Sequence, residues 1–290
     1  MAYKIALSAG HGRNTAGKRC MKALDPNQTR EWVLNSRVAE YVETLLLMYD
    51  GYELKRVDDH TGKKDISVSN RAKAANNWGA DIYVSIHHNA GIKGGSGGGI
   101  CVYIQNKPTW NEVELQSEFY SALIAETGLR GNRANPKTRA NFTEIYKAKA
   151  DAVLLELGFM DSATDVPVIL SDEYANKCAV AIVSVLAQRG KLRWIGDDPE
   201  PAPAPVVDAE SVKIDYAERC DDYLSGAYVV DSPDGVLNLR AGASTKKAII
   251  EEMKNGQKFR CYGYHTGEWF YGVAESGKRG FCHSDYLKEV

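Results

Sequence analysis

Apolar positions change their spacing repeatedly along the first two thirds of the chain, and each change predicts an element. The run from Tyr3 to Ala9 predicts a short strand. Leu34, Val38, Tyr41, Val42, Leu45 and Leu46 then recur at steps that predict an amphipathic helix over residues 30–49. A strand is expected near Glu53 to Val57 and a helix near Ser67 to Trp78. ADIYVSI predicts a strand ending at His87, GICVYI predicts another, and Glu112 to Thr127 reads as a helix. The strongly apolar DAVLLELGF predicts a strand, and DEYANKCAVAIVSVLAQ a closing helix. Strands alternating with helices argue a layered α/β fold, a mostly parallel sheet flanked by helices.

The pattern breaks at DDPEPAPAPVVDAES, Asp197 to Ser211. Alternating Pro and Ala stiffens the chain into an extended spacer and forbids helix and sheet. After it, short β-rich runs are punctuated by turn signals such as SPDG, KNG and ESGKRG. Five or so strands in that space predict a small all-β barrel. The expected organisation is a first domain over residues 1–196, a linker over 197–211 and a second domain over 212–290.

Composition narrows the picture. Hydrophobic residues at 44% and charged ones at 26% suit globular domains and exclude a disordered chain. The longest nearly apolar run, Cys178 to Ala187, is far shorter than the ~18–20 residues of a membrane span, so no membrane association is expected. Lys and Arg number 36 against 38 Asp and Glu, a net charge of −2 that gives no support to nucleic-acid binding. The six cysteines include no C-x-x-C pair, so free buried thiols are expected, with Cys261 and Cys282 able to face each other across strands.

Polar residues gather at the predicted strand ends, where open α/β sheets bind ligands. SAGHG puts His11 just past the first strand, VSIHHNA puts His87 at the end of a central one, and LLELGF puts Glu156 near the end of another. Glu31 starts the first long helix. Two imidazoles and one carboxylate suit a catalytic Zn²⁺, which takes three protein ligands and leaves a position for water. A further carboxylate can move a proton from that water to a leaving amine, and Glu156, set among leucines, is the candidate. Other readings stand beside these. His11 can be a plain turn residue and Glu31 a complement to the helix dipole. Arg71 and Asn76 suit a helix-surface salt bridge as well as a functional role, and Asn89 suits substrate binding or a loop cap. GRNTAGKR nearly fits a phosphate-binding loop, but Arg19 stands where a hydroxyl is needed and Pro26 precludes the long helix that should follow. GGSGGG, Gly94 to Gly99, reads as a flexible loop beside the site.

ALSAGHG, the helix from Glu31, RAKAANNWGADIYVSIHHNA and AVLLELGFMDS together resemble the successive motifs of zinc-dependent N-acetylmuramoyl-L-alanine amidases, the AmiC/CwlV-like group. The resemblance spans roughly residues 3–188. It implies cleavage of the amide joining the lactyl group of N-acetylmuramic acid to L-alanine in peptidoglycan. It also implies His11, Glu31 and His87 as zinc ligands and Glu156 as the catalytic carboxylate. His88 stands where the group usually has Ala or Leu; adjacent strand residues face opposite ways, which favours His87 as the ligand. The loop between His11 and Glu31 is irregular for the group, which leaves Asp25 as a reserve ligand.

The segment from about Ala227 to Val290 resembles a bacterial SH3-like (SH3b) domain, a kind that commonly anchors lysins to the wall. Tyr262, Tyr264, Trp269 and Tyr271 can offer an aromatic platform, with Trp269 and Tyr271 the expected substrate contacts, or can be barrel core. Amidase, stiff linker and wall anchor, without a signal-peptide-like start, resemble the plan of a phage endolysin made in the bacterial cytoplasm and released to act on the wall; a host autolysin shares the plan. Two rivals remain: a zinc peptidase cutting within the stem peptide, and a wall-binding protein with an inactive head.

Overall fold

The structure, a computed structural model, describes residues 2–132, 136–195, 227–240, 244–266, 268–276 and 278–289. These form two compact units, each with its own sheet and core. The expected linker, and the stretch of 212–290 before Ala227, lie outside the described residues.

In chain order the first unit comprises β1 (Tyr3–Ala9), α1 (Glu31–Leu46), β2 (Tyr49–Asp50), β3 (Tyr52–Arg56), α2 (Val68–Trp78), β4 (Ile82–Asn89), β5 (Ile100–Ile104), α3 (Trp110–Thr127), β6 (Lys137–Arg139), α4 (Thr143–Tyr146), β7 (Asp151–Phe159), α5 (Val166–Ile169), α6 (Asp172–Gly190) and β8 (Arg193–Trp194). Six strands make one sheet in the order β3-β1-β4-β7-β5-β6. The four from β3 to β7 run parallel, while β5 is antiparallel to β7 and β6 follows β5. β1, β4 and β7 therefore end on the same edge, and their carboxyl ends carry the chemistry.

Local rules account for the main helices. α2 starts where Ser67 accepts from the Asn70 amide and stops at Gly79, whose φ of 73° suits glycine. α3 opens on a capping box between Thr109 and Glu112. α6 is capped by Ser171. α1, α3 and α6 cover one face of the sheet over a core that includes Leu34, Val38, Val84, Leu155 and Ile182, while α2 and α4 cover the other around Tyr83 and Ile145. The central strand β4 is buried from Ile82 to His88, so its inward side chains meet helices on both sides.

Residues 12–18 are turns and irregular loop, Arg19 bridges to Arg30, and no helix follows Lys18 until Glu31. Gly94 to Gly99, read in sequence as flexible, is pinned. The buried Asp165 carboxylate accepts from the Gly99 amide at 2.7 Å, and Gly95 O from Ala163 N at 2.9 Å.

The second unit comprises β9 (Ala227–Val230), β10 (Val236–Arg240), β11 (Ile249–Lys254), β12 (Lys258–Thr266), β13 (Trp269–Ala274), β14 (Arg279–His283) and β15 (Leu287–Glu289). All pairings are antiparallel, in the order β11-β10-β14-β13-β12-β9-β15, seven strands where about five were expected. Its core holds Tyr228, Val230, Leu239, Met253, Phe259 and both Cys261 and Cys282, neither in a disulfide. Cys282 Sγ lies 3.9 Å from Met253 Sδ. Cys20, Cys101 and Cys178 are also free and buried.

Candidate active site

His11 follows β1 in a left-handed backbone conformation, φ 66°, which a β-carbon makes costly. The surroundings hold it there. The Arg71 guanidinium, 1% exposed, donates to Ala9 O at 2.6 Å, Ser8 Oγ at 2.7 Å and His11 O at 2.9 Å, and its Nε donates to Ile66 O. Arg71 is thus no helix-surface residue: it is a buried clamp on the turn that carries His11. Asn35 Nδ2 donates to Gly10 O at 3.2 Å from α1. Gly10 itself leaves room for the His87 ring, which a β-carbon there would strike.

Glu31 is the first residue of α1 and is 1% exposed. Its Oε1 faces His87 Nδ1 at 3.1 Å, and its Oε2 faces His11 Nε2 at 3.4 Å and Lys18 Nζ at 3.7 Å. The two imidazole rings stand edge to face, centroids 5.1 Å apart. Each of His11, Glu31 and His87 offers a ligand atom within 4.8 Å of the others. Glu31 Oε2 is buried without a hydrogen bond, its charge met at longer range by Lys18, so it keeps lone pairs for a cation. The donor set, two imidazole nitrogens and a carboxylate oxygen on a polar rim, fits Zn²⁺.

Glu144 also meets this cluster, and sequence reasoning missed it. It projects from the single-turn helix α4, 2% exposed; its Oε1 lies 3.1 Å from His87 Nε2 and its Oε2 accepts from Tyr83 Oη at 2.8 Å. His87 is thereby bracketed by two carboxylates. Burial alone would lower its pKa, but the hydrogen bonds to Glu144 and Glu31 outweigh burial and raise it to about 10. Against the upward push of burial, the hydrogen bond to His87 holds Glu144 down at about 2, and those to His11 and His87 hold Glu31 well below the usual carboxylate range.

Glu156 pairs in register with His87 across β4 and β7, so both side chains emerge on one face at the sheet's edge. Its Oε2 is buried without a partner, and burial raises its pKa to about 8, with His87 opposing only in part. A carboxyl in that state can exchange a proton near neutral pH.

His88 points the other way. Its Nδ1 meets Asn35 Oδ1 at 2.8 Å, its Nε2 is buried without a partner, and burial lowers its pKa to about 3. It packs beneath the ligand helix rather than joining the cluster. Asp25, the reserve ligand, spends its carboxylate on a turn, accepting from Asn27 N at 3.0 Å and Thr29 N at 2.6 Å. Asn89 Oδ1 accepts from Ala90 N at 2.8 Å, the loop-capping alternative. Asn76 ties α2 to the segment before β7 through Lys147 O and Lys149 N. In the second unit Trp269 is half-buried against His283, which also meets the exposed Tyr286, with centroids 5.2 Å and 5.5 Å apart. The side chains of Tyr262, Tyr264 and Tyr271 lie outside the described residues.

Fold and site define a layered α/β hydrolase, with a His–Glu–His cluster and an adjacent raised carboxyl on the carboxyl edge of a mostly parallel sheet. Residues 5–188 match the profile of the N-acetylmuramoyl-L-alanine amidases, and residues 235–288 that of the bacterial SH3 domain. The chain belongs to the N-acetylmuramoyl-L-alanine amidase family. It is 29% identical over 194 residues to a sporulation-specific N-acetylmuramoyl-L-alanine amidase of Bacillus subtilis (strain 168), covering 66% of this chain and 69% of that one. An endolysin of Bacillus phage SPP1 is 23% identical over 181 residues, 62% of this chain and 63% of that one. Among solved structures, an N-acetylmuramoyl-L-alanine amidase from Clostridium difficile 630 superposes with a TM-score of 0.58 at 27% identity, covering 64% of this chain and 96% of that one.

Proposed function

We propose that this peptidoglycan amidase cleaves the bond between the lactyl group of N-acetylmuramic acid and L-alanine as a zinc enzyme, with Glu156 moving the proton. The observation that carries the reading is the convergence of His11, Glu31 and His87 beside Glu156, whose Oε2 is buried without a hydrogen bond, on one sheet edge. His11, Glu31 and His87 would hold the ion, which supplies a polarised carbonyl and a water acidified toward pKa ~7.

The protein's own groups divide the remaining work. Glu156 takes a proton from the attacking water and returns it to the departing alanine nitrogen, a shuttle suited to a carboxyl that titrates near neutrality. Arg71 and Asn35 keep the His11 turn in its costly conformation, so the ligand geometry exists before substrate arrives. Asn89 ends β4 beside this edge, where its side chain takes a substrate contact in addition to its loop-capping bond.

The second domain, residues 212–290, is the wall anchor, with Trp269 and Tyr271 as its contacts, joined through the linker at 197–211 to the catalytic domain at 1–196. Tethering raises the local concentration of the catalytic head on its polymer. No helix among the described residues is long and apolar enough to cross a membrane. The whole has the plan of an endolysin made in the bacterial cytoplasm that acts on the wall after release. Mass spectrometry of purified peptidoglycan, digested with and without a zinc chelator, tests the reading. Chelator-sensitive stem peptides with a free N-terminal L-alanine support it, and cuts elsewhere in the stem refute it.

A further inference from the structure

His87 has two ring nitrogens, and the structure gives them different neighbours. Nδ1 faces the cluster, 3.1 Å from Glu31 Oε1 and beside the His11 ring. Nε2 faces away from it, 3.1 Å from Glu144 Oε1. An imidazole that gives its Nδ1 lone pair to a metal must keep its proton on Nε2. Among the described residues, Glu144 is the one within hydrogen-bond distance to accept that proton.

The carboxylate is itself held. Tyr83, fully buried on β4 two pleats before His87 on the same face, donates to Glu144 Oε2 at 2.8 Å. Both Glu144 oxygens are therefore engaged, one by a hydroxyl and one by the ring. Glu144 is thus held at both oxygens, in contrast to the unbonded Oε2 of Glu156. We infer that Glu144 is a positioning residue of the metal centre: it fixes the Nε2-protonated form and the orientation of His87, and Tyr83 fixes Glu144. The chain Tyr83–Glu144–His87 then raises the basicity of the ligand nitrogen, as carboxylates behind metal-bound histidines do. It also supplies negative charge that favours a divalent cation.

This inference rests on the zinc reading, and the test separates the two. Zinc affinity is measured by competition with a chromophoric chelator for the full chain, for Glu144→Gln and for Glu144→Ala, with folding checked by circular dichroism. Glu144→Gln keeps the side chain's bulk and its contact with Tyr83, so it remains informative if the alanine variant fails to fold. Affinity should drop about 10-fold in the glutamine variant and up to about 100-fold in the alanine variant. Long-range ¹⁵N–¹H NMR of the zinc-loaded protein should show His87 protonated on Nε2. A folded Glu144→Gln protein with zinc affinity within about twofold of the parent, or a His87 protonated on Nδ1, overturns the inference while leaving the metal intact. A parent protein that binds no zinc overturns both.

Discussion

Glu156 stands directly opposite His87 in the parallel pairing of β7 with β4, one residue half-buried with an unpartnered carboxyl oxygen at the sheet edge, the other bracketed by carboxylates. The surroundings raise both pKa values, and in the proposed mechanism His87 binds the metal while Glu156 transfers the proton. Replacing Glu156 with Gln should therefore leave zinc content unchanged while amidase turnover falls by ~10²–10⁴-fold. Atomic absorption together with release of soluble muropeptides reads both; near-normal turnover would remove Glu156 from proton transfer.

The same substitution should stabilise the metal-free fold, and the sign follows from the direction of the shift. Burial raises the Glu156 pKa from 4.5 to about 8, so the folded state holds the proton more tightly than the unfolded chain. Its contribution is fully present below pH 4.5 and is lost as pH rises through about 8. Glutamine carries no such loss. In the presence of chelator, Glu156→Gln should melt on the order of 5 °C higher than the parent at pH 8.5 but not at pH 4.5. An equal Tm difference at both values would show that the carboxyl is not held protonated by the fold.

His87 and His88 are adjacent yet opposed in the pleat, and their loss should separate. His87→Ala should abolish stoichiometric zinc. His88→Ala should keep the metal while losing ~1–3 kcal/mol of stability, because Asn35 Oδ1 is left without its buried partner. Zinc stoichiometry alongside urea unfolding distinguishes the two, and the reverse pattern would exchange their roles.

Arg71→Lys removes the fork that spans Ala9 O, Ser8 Oγ and His11 O while keeping the charge. Lysine cannot meet three fixed acceptors at once. We expect a loss of about 3 kcal/mol in stability. Zinc affinity should also weaken, since the His11 turn no longer has its buried support. Unchanged affinity in a destabilised protein would confine Arg71 to the fold.

What the sequence made legible, and what it hid, follows from how each residue announces itself. Period and length exposed every long element of the first unit, since α1, α6 and β7 bury continuous apolar faces. Strand alternation alone puts His87 and His88 on opposite faces of β4. Glu144 stayed hidden because α4 is a single turn with no period to read, in a polar stretch where a glutamate looks solvated. Its faint signal was Ile145, an apolar residue beside it. Arg71 misled in the opposite way: arginines are mostly exposed, and only the backbone carbonyls brought to it by β1 and the His11 turn explain its burial. Gly94 to Gly99 looked loose because its anchor, Asp165, lies 66 residues beyond Gly99.

In the second unit, Trp269, His283 and Tyr286 make a short aromatic row at the junction of β13, β14 and the turn before β15, with Glu268 Oε2 3.0 Å from His283 Nε2. Trp269 is only half-buried and outside the apolar cluster of Tyr228, Leu239 and Phe259, so truncating it should spare the barrel. Aromatic faces with polar edges suit the mixed surface of a glycan–peptide polymer. Trp269→Ala should therefore weaken retention on purified walls several-fold, and deletion of residues 206–290 should weaken it further. Both proteins should still hydrolyse small soluble muropeptides, because His11, Glu31, His87 and Glu156 all lie within the first unit. Sedimentation with walls, run beside turnover on soluble fragments, measures the two effects separately. Full retention by the truncated protein would place wall binding in the catalytic unit and leave the second without that role.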